Sequence, residues 1–131
     1  MLRRDDWIVA DHPVLGQPVL PGTAFLSAIA DAASRMGLAS ATVERVTWLR
    51  PVVVAAERVV RLVISDQDDA RATCELRSDG VLHAAAELRL QAAARPRETI
   101  DLHAARGRCD RAIDLAALRA RFARSGVGYG P

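Results

Sequence analysis

The residues with the clearest capacity for chemistry are His12 and the start of the helix that is expected to follow it. His12 opens a loop rich in Pro and Gly, and this loop ends at Gly22. An imidazole changes protonation near neutral pH and therefore suits a general base. The first backbone N–H groups of a helix have no partner within it, so those near Gly22 and Thr23 can polarise a carbonyl. A base beside such donors is the equipment for removing a proton α to a carbonyl.

The same spacing also has a simpler interpretation. In this alternative, His12 is a turn residue and Gly22 only begins a helix. Taken alone, the spacing favours the simpler interpretation, because lone histidines and helix entries are common features of folded proteins.

The other chemistry-bearing side chains are expected to be structural. We expect His83 on the outer face of a hairpin and His103 in a polar connecting stretch exposed to solvent. Trp7 and Trp48 are expected to anchor the core rather than to bind an acyl chain. Cys109 lies near no recognisable base, so we assign it no nucleophilic role.

Composition and charge limit the class of protein. The 131 residues suit one domain, although 25 of the hydrophobic half are Ala. The 18 basic residues, all Arg, are interspersed with 16 acidic ones, a pattern that disfavours nucleic-acid binding. No apolar stretch is long enough for a membrane span, and no secretion signal is evident. We therefore expect a cytoplasmic protein with two free thiols and no zinc site.

The elements that must position His12 and Gly22 can be predicted in outline. Trp7-Ile8-Val9 forms a short apolar run that could be a strand, and the His12 loop follows it. Residues 23–36 read as a helix that is mostly buried, with Gly37 as its stop signal.

Beyond this helix the pattern changes to strands. We predict strands at 42–54, 57–65, 70–77 and 82–91, with Pro51 marking an edge or bulge. Ser78-Asp79-Gly80 should turn the last two into an antiparallel hairpin with one buried face.

The last part of the chain reads as a linker and a second helix. Residues 92–100 lose the alternation, and Asp114 is placed to cap a helix that Ser125-Gly126 stops. One helix followed by antiparallel strands predicts an α+β fold with the sheet wrapped around the helix.

Several motifs along the chain resemble those of a known protein family. His12, Gly16 and Pro21 fit the motif HxxxGxxxxP, and DHPVLGQPVLPGTAFL resembles the start of a dehydratase domain of modular polyketide synthases. Three further segments resemble, in order, the family's first strand after the central helix, its HAxGxL segment and its GxxYGP motif: RPVVV (50–54), HAAAEL (83–88) and GVGYGP (126–131). The resemblance covers nearly the whole chain and reverses the preference for the simpler interpretation.

The resemblance implies a hot-dog fold and a reaction. Residues 1–91 would be the first hot dog of a double hot dog, and 92–131 would lead toward the second. The reaction would eliminate water from a β-hydroxyacyl group, giving an α,β-unsaturated thioester. His12 would take the α proton, and the N–H of Gly22 would polarise the thioester carbonyl.

The same resemblance implies the remaining roles and the partners. Gly16 and Pro21 would shape the loop, and Tyr129 would lie near the entrance of the site. The substrate would be carried on the phosphopantetheine arm of an acyl carrier protein, without a metal or cofactor of the chain's own. A second hot-dog half would supply a catalytic Asp, and the domain would form a homodimer within the synthase.

Departures from the family pattern leave alternatives open. No acid in the chain matches the family's catalytic Asp, and Asp11 is expected to be a turn or cap residue. Ala86 replaces the Gly of the HAxGxL segment. The chain would therefore be half of a dehydratase site, and the alternatives are a non-catalytic domain that docks an acyl carrier or dimerises, or a double-bond-shifting isomerase. A single-domain hot-dog thioesterase is a more distant alternative.

Overall fold

Four strands form the main sheet of the protein, and one long helix packs across it. A computed structural model describes residues 1–37, 41–68, 70–90 and 99–130. The elements in chain order are α1 (Trp7–Ala10), β1 (Pro13–Val14), β2 (Gln17–Pro18), α2 (Gly22–Arg35), β3 (Thr42–Trp48), β4 (Val60–Asp68), β5 (Arg71–Ser78), β6 (Val81–Arg89), α3 (Leu102–Gly107) and α4 (Leu115–Arg124).

The main sheet is antiparallel throughout, with strand order β3-β6-β5-β4. The predicted hairpin is confirmed, since β5 and β6 pair across the turn of Asp79 and Gly80. Both turn residues have positive φ, 51° and 78°, as a tight two-residue hairpin turn requires. The strands predicted at 57–65 and 70–77 are found at Val60–Asp68 and Arg71–Ser78.

The core lies between α2 and the inner face of β5 and β6. Phe25 and Ile29 of the helix join one buried cluster with residues from the two strands: Ala72, Cys74, Leu76, Ala84, Ala86 and Leu88. The predicted helix is therefore confirmed, but the expectation that it is mostly buried is wrong. Only Phe25, Ile29 and Ala33 are buried, at a spacing of four residues that defines one stripe. Alanines on the other sides gave the sequence an apolar appearance without requiring burial.

Two strand predictions near the site are wrong. Trp7-Ile8-Val9 forms a single helical turn. The prediction failed because three apolar residues are too few to distinguish the period of a strand from that of a helix. The predicted strand 42–54 ends at Trp48, before Pro51. RPVVV is thus not the first strand after α2, since β3 precedes it and residues 52–54 leave the sheet.

His83 is buried at a bulge in β6, which contradicts its expected position on the outer face. Arg77 pairs with Leu82 and Leu76 pairs with Ala84, so His83 has no partner position on β5. The extra residue changes the alternation of the strand, and His83 and Ala84 are both buried. His83 is 6% exposed.

The C-terminal helices pack loosely against the rest of the described chain. The predicted cap of α4 is confirmed, since the Asp114 carboxylate accepts the N–H groups of Ala116 and Ala117. Asp101 caps α3, which the sequence did not predict, in the same way. Within the described residues 99–130, neither helix contributes a buried side chain. Residues 92–98 of the predicted linker lie outside the described residues.

None of the helices described here is long and apolar enough to cross a membrane.

Candidate active site

A small hairpin carries His12 to the edge of the core. Val14 of β1 pairs with Gln17 of β2, which leaves Leu15 and Gly16 as a two-residue turn. Both have positive φ, 50° and 75°, and glycine adopts that conformation without strain. Gly16 therefore occupies a turn position whose positive φ favours glycine.

The segment between the hairpin and α2 is fixed to the residues that follow β3. The N–H of Leu20 donates to the carbonyl of Val52 at 3.0 Å, and the N–H of Val54 donates to that of Pro18 at 2.8 Å. Residues 18–20 and 52–54 thus run together as extended backbone, and the isolated bridge between Val19 and Val53 belongs to the same pairing.

The His12 ring is held by Val19. Its Nδ1 lies 3.1 Å from the Val19 carbonyl oxygen, and the N–H of Val19 donates to the His12 carbonyl at 3.4 Å. A carbonyl oxygen can only accept a hydrogen bond, so Nδ1 carries the proton in the neutral ring. The other nitrogen, Nε2, therefore has a free lone pair and is the basic atom.

Pro21 and Gly22 form the start of α2. Pro21 lacks a polar group with which to cap the helix, and neither Gly22 nor Thr23 donates its N–H to any described residue. Trp48 lies against Gly22, with its indole N–H donating to the Gly22 carbonyl at 3.3 Å. A Cβ at Gly22 would lie 2.8 Å from the Trp48 Nε1, so the close contact requires glycine.

A cavity of about 400 Å³ opens between these elements. His12, Pro21 and Gly22 line one side, and the chain from Trp48 to Val52 lines another. Buried side chains complete it: Phe25, Leu76, His83 and Ala84. No Asp or Glu occurs among the described residues that line this cavity. The cavity has the size and mainly apolar lining of a small-molecule site.

Residues 126–130 of the GxxYGP motif lie along the His12 loop. The N–H groups of Gly128 and Gly130 donate to the carbonyls of Pro13 and Asp11, at 2.8 and 2.9 Å. In the same ladder, the N–H of Leu15 donates to the Gly126 carbonyl. A Cβ at any of the three glycines would collide with residues 11–15, which explains the glycine at every second position.

This pairing brings Tyr129 to His12. The two rings meet edge to face with centroids 5.7 Å apart, and Tyr129 meets Phe122 of α4 in the same way at 5.3 Å. Tyr129 and His12 also border a second recess of about 660 Å³, which includes Asp11 and Ser27. Four of the five site residues predicted from the sequence therefore border this recess: His12, Pro21, Gly22 and Tyr129. The fifth, Gly16, lies in the turn of the β1–β2 hairpin and lines neither recess.

Sequence reasoning missed two residues of this region. Trp48 was expected in the core, but it is 56% exposed and lies over Gly22, and Trp7 is also exposed. His83 was expected outside, but it lines the cavity. The bulge that turns His83 inward leaves no signal in a single sequence.

Comparison with known proteins identifies the family. The sequence model of the polyketide synthase dehydratase domain matches residues 2–79. The chain belongs to the polyketide synthase dehydratase family. This dehydratase-family chain is 37% identical over 141 aligned positions to the polyketide synthase ThaG of Burkholderia thailandensis, covering 98% of the chain and 2% of that protein.

Solved dehydratase domains share the fold. A trans-AT polyketide synthase dehydratase domain from Brevibacillus brevis is 25% identical, with a TM-score of 0.83 over 99% of this chain and 50% of that one. The dehydratase domain from the CurF module of the curacin polyketide synthase is 22% identical, with a TM-score of 0.85 over 98% and 50%. The dehydratase domain of PpsC from Mycobacterium tuberculosis, solved in complex with C12:1-CoA, is 22% identical, with a TM-score of 0.78 over 99% and 47%.

These likenesses confirm the predicted α+β hot-dog fold and the resemblance to the N-terminal half of the domain. The chain spans about half the length of these solved dehydratases.

Proposed function

We propose that this chain is the base-bearing half of a dehydratase that eliminates water from a β-hydroxyacyl thioester. The product is the α,β-unsaturated thioester. The observation that carries the proposal is the His12 ring, which Val19 holds through Nδ1 beside an apolar cavity and the open helix start at Gly22. Membership of the dehydratase family supports the same reaction.

His12 begins the reaction. Its Nε2 takes the proton from the α carbon, and the electron pair of that C–H bond forms the new C=C bond. The hydrogen bond from Nδ1 to the Val19 carbonyl supports this role, since it keeps the lone pair on Nε2 and stabilises the imidazolium that forms.

Gly22 assists by binding the thioester oxygen. Negative charge develops on that oxygen as the α proton leaves, and the positive end of the α2 dipole stabilises it. The N–H groups of Gly22 and Thr23 have no acceptor among the described residues, which leaves them available for this oxygen.

The acid that completes the elimination comes from the second half of the domain. The β C–O bond breaks with its electrons on oxygen, and an Asp of that half protonates the hydroxide to give water. The absence of a carboxylate among the described residues lining the cavity supports this division. Asp11 borders the other recess, where its side chain packs against Gly130.

The proposed substrate arrives on the phosphopantetheine arm of an acyl carrier protein. Elimination of water neither oxidises nor reduces the acyl group overall, so the proposed reaction requires no redox cofactor. A dehydratase relative solved in complex with C12:1-CoA supports an acyl thioester as ligand, because that compound carries the same type of thioester. Within the synthase, we propose that the complete domain forms a homodimer.

The test is a dehydration assay of the complete domain, in which product is measured by mass spectrometry. We expect His12→Ala to lower kcat/KM by roughly 10²- to 10⁴-fold, the range for loss of a general base. Asp11→Asn is the matched control, since it removes the neighbouring carboxylate and should leave the rate near that of the wild type.

The outcomes separate the candidate functions. Dehydration that does not depend on His12 would contradict the proposal. Binding of the acyl carrier without turnover by the wild-type domain would favour a docking domain. A product with a shifted double bond and no loss of water would favour an isomerase.

A further inference from the structure

His83 lines the same cavity as His12 and has no part in the proposed elimination. It is 6% exposed and lies at the bulge in β6. Its backbone carbonyl and its ring both contact residues 49–51, which line the same cavity. A buried polar side chain costs free energy unless its polar atoms have partners. Each of the two ring nitrogens of His83 therefore needs a hydrogen-bond partner.

The Nδ1 of His83 binds the cavity wall. It lies 3.0 Å from the carbonyl oxygen of Pro51 and 3.3 Å from that of Arg50. Because both partners are acceptors, Nδ1 carries the proton. The backbone carbonyl of His83 accepts the N–H groups of Leu49 and Arg50 as well, so this one residue holds the wall segment 49–51 through four contacts.

The Nε2 of His83 is a lone-pair acceptor open to the cavity. It makes no hydrogen bond with any described residue, and the described part of the chain contains no buried side-chain nitrogen or oxygen without a partner. Nε2 must therefore be accessible, and the cavity is the space that His83 lines. Its neighbours in that lining include the apolar side chains of Val52, Leu76 and Ala84.

We propose that Nε2 of His83 binds a hydroxyl group of the acyl chain and makes the cavity selective for hydroxyacyl thioesters. The inference rests on the proposed function, because it assumes an acyl thioester in this cavity. A hydrocarbon chain would cover the acceptor and leave it without a partner, whereas a hydroxyl donates a hydrogen bond to it. His83 is thus a specificity residue, and it moves no proton in the reaction.

The test compares two probes that differ only in the hydroxyl: the β-hydroxyhexanoyl and hexanoyl thioesters of pantetheine. Binding is measured on the complete domain in a His12→Ala background, which prevents turnover. His83→Asn keeps an N–H near the position of Nδ1 and removes the acceptor at Nε2. His83→Gln does the reverse, because its amide reaches the position of Nε2.

We expect the parent domain to bind the hydroxyacyl probe about fivefold more tightly, as one net hydrogen bond predicts. In His83→Asn the two affinities become equal and the melting temperature stays the same. The hexanoyl affinity rises there, because no acceptor is left for the hydrocarbon chain to cover. In His83→Gln the preference persists, but both affinities and the melting temperature fall because the wall segment 49–51 loses its donor.

Two results would overturn the inference. The preference could survive in His83→Asn, or both affinities could fall equally there, as they would if Nε2 bound the pantetheine amide common to both probes. Failure of the proposed function gives a different result: the domain with His12 restored would not dehydrate the hydroxyacyl probe, whatever the binding preference.

Discussion

At the scale of single residues, the proposed oxyanion site depends on the absence of a side chain at Gly22. A methyl group there would lie 2.8 Å from the Nε1 of Trp48, so Gly22→Ala must displace the indole and break its hydrogen bond. We expect kcat/KM to fall roughly 10- to 100-fold, the range for a small misplacement of a binding group.

The displacement can be followed by fluorescence of the 131-residue chain, in which Trp7→Phe leaves Trp48 as the sole tryptophan. Gly107→Ala is the control, because nothing lies within 4 Å of a Cβ at that position. An unchanged rate together with a displaced Trp48 would show that the indole does not support the site.

The ring of Tyr129 helps to hold the ring of His12 in position. The two rings meet edge to face, an arrangement that Tyr129→Phe keeps and Tyr129→Leu removes. We expect the Phe variant to stay near the wild-type rate and the Leu variant to lose roughly 2- to 10-fold, the usual range for an aromatic pair. Equal losses in the two variants would instead assign the effect to the phenol hydroxyl.

The two cysteines should differ in reactivity. Burial raises the pKa of the Cys74 thiol to about 11 from 9.0, and the charge of Glu75 adds to the rise, whereas Cys109 is exposed. A thiol reagent should therefore modify one cysteine in the native protein and two after denaturation, as counted by mass spectrometry. Two modified thiols in the native protein would contradict the buried position of Cys74.

The same pKa shift gives a pH dependence of stability. The Cys74 thiol ionises above about pH 9 in the unfolded chain but stays protonated to about pH 11 in the folded one. The free energy of unfolding should therefore fall as pH rises through this window. Cys74→Ala removes the titrating group, and denaturant unfolding at pH 8 and pH 10 should show a smaller loss for that variant.

At the scale of elements, the pairing of residues 126–130 with residues 11–15 positions the site. A Cβ at Gly128 would lie 2.6 Å from the ring of Pro13, so Gly128→Ala should separate the two segments. We expect faster amide hydrogen exchange at Gly130, which donates to the Asp11 carbonyl, and a lower dehydration rate. Protection at Gly130 equal to that of the wild type would contradict this account of the segment.

The sequence predicted the elements that local chemistry determines. Asp114 caps α4, and Asp79-Gly80 turns the β5–β6 hairpin, because both features depend on neighbouring residues alone. The bulge at His83 and the end of β3 depend on hydrogen bonds between distant segments, which a single sequence does not reveal. The contact of Trp48 with Gly22 has the same origin, since the two residues are far apart in the chain.

At the scale of the whole molecule, the chain corresponds to half of the solved dehydratase domains, with 50% of two such chains covered. Residues 99–130 leave apolar side chains exposed in and beside the two C-terminal helices, among them Ile100, Ile113 and Leu115. Exposed apolar residues of this kind often mark an interface. In the proposed complete domain, the second hot dog supplies both the missing acid and additional contacts for the first.

The proposed catalytic pair is divided between His12 of this chain and an Asp of the second half. The most direct test is an assay of the 131-residue chain with and without the second half of the domain. Loss of water from a β-hydroxyacyl thioester is measured by mass spectrometry, with His12→Ala beside each sample. We expect no product from the chain alone and a His12-dependent product once the second half is present. A His12-dependent product from the chain alone would contradict the account, because the acid would then come from this chain or from a second copy of it.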